Sequence, residues 1–100
     1  MSEKSQVPLQ QKLNLETAPI AWRDLQTFFA SGAVIYVATT QDMLLVAEQL
    51  AADNAPLVKE WMEQGLVGQV TDEQALRWYE QDATLWSVVI KPWVLVQERD

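Results

Sequence analysis

An α+β fold in a single domain spanning residues 1–100 is predicted by three features of the sequence. A long apolar run lies near the C-terminal end, two shorter β-branched runs precede it, and apolar positions at helical spacing fill the intervals between them. The long run is Leu85-Trp86-Ser87-Val88-Val89-Ile90-Lys91-Pro92-Trp93-Val94-Leu95-Val96, rich enough in β-branched and aromatic residues for strand and too apolar to stay wet. Extended at ~3.3 Å per residue it would reach roughly 40 Å, against a radius of gyration of about 13 Å for a compact chain of this length. Pro92 has no N–H to give a ladder, so the run is expected to bend into an inner strand over 85–91 and a second piece over 93–97. The architecture expected is about five helices around a small, mainly antiparallel sheet of three or four strands.

Taken in order, residues 1–6 are polar and read as a flexible tail, and Leu9, Leu13 and Leu15 suggest a short helix ending near Thr17. Pro19 breaks it. Trp22, Leu25, Phe28 and Phe29 then fall at i, i+3, i+6 and i+7, one apolar stripe of a helix that Gly32 stops. A strand is expected over 33–37. Thr40 or Asp42 caps the next helix, which carries Met43, Val46, Ala47, Leu50 and Ala51 and runs out at Asp53-Asn54. Pro56 suits the first turn of another, with Leu57, Val58, Trp61 and Met62 as its inner stripe and Gly65 just past its end. A second strand follows over 66–70. Thr71 with Gln74 three positions on is a capping box, opening a helix through about Gln81 that carries Ala75, Trp78 and Tyr79. On these stripes Trp22, Phe28, Val46 and Trp61 are expected to be buried.

Composition narrows the chemistry. With 49% hydrophobic residues and five tryptophans the chain can build a core without staples, and it has no cysteine for disulfides, thiolate chemistry or Cys-based metal sites. No apolar stretch approaches the ~20 residues of a membrane span, and a cytoplasmic address is the expectation. Fourteen acidic against seven basic side chains give a net charge of −7, which repels nucleic-acid phosphates.

Helix, strand, helix, tight turn, helix, strand and final strand form a winged-helix-like order, which makes a regulator with weak nucleic-acid binding an alternative function. The would-be recognition helix over 54–64 sets Lys59 against Glu60 and Glu63 and has no Arg for guanine edges, so DNA binding is not expected. A third reading, a carboxylate-based enzyme, arises because a chain without histidine has only carboxylates or Lys for acid–base work. Glu16, Asp24, Asp42, Asp53 and Glu60 are the acids such a site would gather, although in a chain with fourteen acids solvated helix faces explain them better, without a site. Ser87 and Lys91 lie roughly 13 Å apart in a strand, beyond any Ser–Lys dyad. No catalytic, cofactor-binding or metal-ligating residue is assigned, and no cofactor is expected.

Several pieces of the chain resemble an uncharacterised family of small proteobacterial proteins, a domain of unknown function. They are Leu13-Asn14-Leu15-Glu16-Thr17-Ala18 with Ile20 and Trp22, Phe28-Phe29-Ala30 with Gly32, and Leu85-Trp86 running into Pro92-Trp93-Val94-Leu95-Val96-Gln97-Glu98-Arg99. Gln41-Asp42-Met43 stands where the family pattern has Leu-Asp-Leu, so only Asp42 carries over there. The resemblance implies a bacterial protein of unassigned role and supplies no catalytic residues.

The function expected is therefore a non-enzymatic protein-interaction module. Its candidate surface is Trp86, Pro92, Trp93 and Leu95, since a ring with a polar N–H is a favoured anchor. Alternation puts Trp93 and Leu95 on one face and Val94 and Val96 on the other, so both faces need cover. Three layers are hard to build from so short a chain. A second copy or an unknown protein partner is expected to supply the missing layer, unless the chain's own helices suffice.

Overall fold

The computed structural model describes residues 17–99, so the tail expected over 1–6 and the helix expected around Leu9 and Leu13 lie outside the described residues. Pro19, expected to break a helix, lies within a strand. Strand β1 (Ala18–Ala21) runs through it and pairs antiparallel with β4 (Thr84–Ile90), in register from Ala18↔Ser87 to Ala21↔Thr84. A residue without an N–H is tolerated there because β1 is an edge strand.

The stripe from Trp22 to Phe29 is not one α-helix. Trp22–Leu25 form a 3₁₀ turn, followed by α1 (Gln26–Ala30). A 3₁₀ advance of three residues per turn superposes Trp22 and Leu25 on the inner side. The change of pitch then brings Phe29 back against Trp22, at 5.4 Å between ring centroids, and turns Phe28 outward, 44% exposed. Phe28 is thus not the core residue its spacing suggested, whereas Trp22, Val46 and Trp61 are buried.

Capping chemistry places the remaining helices. Asp42 Oδ1 accepts from the Leu44 N–H at 3.0 Å and the Leu45 N–H at 3.4 Å, opening α2 (Met43–Ala51) after β2 (Val34–Val37). Asn54 caps α3 (Ala55–Glu63), with Pro56 in its first turn. After β3 (Val67–Gln69), Thr71 and Gln74 form the reciprocal box of α4 (Asp72–Glu80), with bonds of 3.1 and 3.0 Å. Strand β5 (Trp93–Gln97) completes a hairpin with β4 around Lys91-Pro92.

The three longer helices close alike, with two backbone hydrogen bonds returning from a residue of positive φ and its successor. Gly65 takes that position after α3, but Asp53 (φ 59°) and Asp82 (φ 52°) take it after α2 and α4. A Cβ is disfavoured in this conformation, so Asp53→Gly is expected to raise stability by about 0.5–1 kcal/mol, read by urea titration. Asp53 is the cleaner site because Asp82 also pairs with Arg23 at 3.4 Å.

Strand order is β1-β4-β5-β2-β3, antiparallel throughout except for the parallel β5–β2 pair. The described residues thus hold four helices and five strands, against about five helices and three or four strands expected; the α+β class stands. The winged-helix order is corrected by the topology. A wing would pair β3 with β4, but β3 lies at one edge and β4 sits between β1 and β5, because α4 carries the chain across the sheet between them.

Alternation along β5 divides the core in two. Val94 and Val96 join Val34, Val70 and Leu85 beneath Trp22, Leu25, Ala75 and Trp78. Leu95 joins Ile35, Val37, Val67 and Val88 beneath Met43, Val46, Ala47 and Trp61. Helices therefore cover both faces, and one chain builds three layers by using helices of nine residues or fewer and large indole rings. A second copy is not needed to cover β5. Among the described residues no helix is long and apolar enough to cross a membrane.

Candidate functional site

Trp86 stands in β4 on the face that α2 and α3 cover, between Pro19 of β1 and Gln97 of β5 in the cross-strand register. Helix α2 packs over β4 and β5 but begins only at Met43, so the indole emerges beside the helix start and stays 36% exposed. The space in front of it is a groove of about 450 Å³, walled by Asp42 and Leu44 on one side and Trp86 and Gln97 on the other. Gln97 donates its side-chain N–H₂ to the carbonyls of Ala38 at 2.8 Å and Gln41 at 2.7 Å, tying the loop before α2 to β5. The Arg99 guanidinium carbon lies 4.9 Å from the Trp86 ring centroid, a cation–π contact. Glu98 accepts hydrogen bonds from Trp78 Nε1 at 3.0 Å and Arg77 Nη2 at 3.1 Å, which holds the tail in place next to Arg99.

The four residues expected to share one surface are separated. Trp93 pairs with Ile90, four residues from Trp86 along β4 and so roughly 13 Å away at ~3.3 Å per residue. It lines a second recess of about 320 Å³ at the other end of α2, with Leu50, Asp53, Lys59 and Met62. Pro92 is exposed in the hairpin turn. Leu95 corrects the expectation: it is 0% exposed, flanked by Val88 and Ile35 on the neighbouring strands, and contributes nothing to a surface. The alternation was right, but the Leu95 side of β5 is the side that α2 and α3 seal.

The acids do not assemble into a site. Asp42 caps α2, Asp53 sits in the turn after it, Asp24 and Glu60 are exposed, and Glu16 lies outside the described residues. Among the described residues no three His, Cys, Asp or Glu side chains are spaced to hold a metal ion. On α3 the exposed residues include Lys59, Glu60 and Glu63, a mixed rather than a basic face. Sequence reasoning marked Asp42 as a cap but not as a groove wall, and it missed Gln97 and Arg99. No local pattern signals a glutamine that will bridge two carbonyls from a distant loop.

Residues 8–98 match the family described as "Protein of unknown function (DUF2288)". Among solved structures, the chain is similar to the NMR solution structure of PA1075 from Pseudomonas aeruginosa, with 40% identity and a TM-score of 0.80 over 100% of this chain and 92% of that one. No curated protein matches the chain.

Proposed function

The chain belongs to the DUF2288 family, described as of unknown function, and from its own geometry we propose that it is a non-enzymatic protein-interaction module docking through Trp86. The observation that carries this reading is the exposed indole lining an open groove, in a chain that buries Trp22, Trp61 and Trp78. A ring of that size, apolar in body and polar at its N–H, is among the side chains enriched at the energetic centre of protein interfaces. Asp42 and Asp53 stand at helix ends and Asp24 and Glu60 on solvated faces, while the half-buried Glu98 is engaged by Trp78 and Arg77, which supports a role without catalysis. Nothing specific favours nucleic acid: net charge is −7 and α3 presents mixed charge.

Affinity capture from the native cell, with wild-type and Trp86→Ala baits compared, tests the reading. The wild type should retain a partner that Trp86→Ala loses, while the variant stays folded and gives up only about 1–2 kcal/mol, less than a core ring would. Sedimentation at two concentrations distinguishes a second copy of the chain from a different protein. A partner held equally by both baits would move the docking surface away from Trp86.

A further inference from the structure

We infer that the Trp86 groove takes a basic segment of the partner, whose arginine displaces Arg99 from the ring and pairs with Asp42; this rests on the reading of Trp86 as the docking residue. The ring's compatibility with such a group is visible within the chain. Arg99 already lies over it at 4.9 Å, inside the ~6 Å range of a cation–π contact, and Trp is the best aromatic partner for a guanidinium. Arg99 is exposed and follows the end of β5 at Gln97, so its side chain can leave the ring without breaking a strand pair.

Apart from the Arg99 guanidinium over the ring, which the incoming arginine replaces, the groove has one sign of charge. Asp42 is the only charged side chain among the described residues that line it. Both of its capping hydrogen bonds end on Oδ1, so they use none of the lone pairs of Oδ2, which can accept from an incoming guanidinium. Leu44, half-buried beside it, offers apolar surface to the methylene stem of a long cationic side chain. The net charge of −7 adds a long-range attraction for a basic partner and opposes an acidic one. Arginine fits better than lysine because its planar group can stack on the ring and still donate sideways to the carboxylate.

The test titrates the peptide acetyl-Ala-Arg-Ala-Arg-Ala-amide, and its glutamate counterpart, into the isotope-labelled full chain while following the Trp86 indole N–H resonance. The arginine peptide should move that resonance, and the glutamate peptide should not. Half-saturation should fall about two- to fivefold in Arg99→Ala, the competition set by an exposed cation–π contact. It should rise up to about fivefold in Asp42→Asn, which keeps the helix cap and loses the charge. Equal response to both peptides, or half-saturation unchanged in both variants, overturns the inference. If the arginine peptide leaves Trp86 unmoved while Trp86→Ala still loses its captured partner, the docking reading stands and the basic-partner inference falls. If capture is indifferent to Trp86→Ala, it is the docking reading that fails.

Discussion

Truncating Trp22 to Ala is expected to cost about 3–5 kcal/mol, seen in urea titration as a lower midpoint at unchanged slope. The ring is 0% exposed and is the hub of an aromatic cluster, edge-on to Phe29 at 5.4 Å and to Trp78 at 5.1 Å. Its backbone N–H donates to the Ala83 carbonyl at 2.9 Å, fixing the 3₁₀ turn against the α4–β4 connection, so the surroundings are held on two sides and collapse poorly into the cavity. Trp22→Phe separates volume from polarity. Among the described residues the Trp22 Nε1–H meets no acceptor, so Phe gives up ring volume without a hydrogen bond and should cost less than half as much as Ala. Trp78→Phe should behave differently, because there the Nε1–H donates to the Glu98 carboxylate at 3.0 Å. Equal losses for Trp22→Phe and Trp22→Ala would contradict this account of the cluster.

Leu95→Ala should cost about 2–5 kcal/mol, toward the upper end. Leu95 lies on a strand with hydrogen-bonded neighbours on both sides, Val88 and Ile35 beside it and α2 above. Strands locked on both edges cannot close a gap by moving, so most of the cavity should remain. The measurement is again the midpoint of cooperative unfolding. A loss under about 1 kcal/mol would return Leu95 to the surface.

What could be read from the sequence was what local chemistry decides. The caps at Asp42 and at Thr71 with Gln74, the helix-ending Gly65 and the bend at Pro92 all lie where their residue types required, whereas Asn54 was read only as a helix end and proved also to cap the next helix. Strand β1 escaped notice because it is four residues long, contains a proline and depends on a partner more than sixty positions away. The outward turn of Phe28 follows from a 3₁₀ turn that apolar spacing cannot distinguish from an α-helix. For the candidate site, Trp86 stood out as a ring in a strand, but which face of β5 the helices would seal depended on where α2 crosses the sheet. That is a tertiary fact, and it moved Leu95 into the core.

The position of β5 bears on how the two halves of the sheet cooperate. It is the latest of the five strands in chain order, yet it lies in the middle of the sheet, between β4 and β2. Without β5, β1 and β4 would have only each other as sheet partners, and β2 only β3. Two-stranded pieces of this kind are marginal in water. The one segment 93–97 joins the two pairs into a single sheet, so its docking couples the stability of both halves.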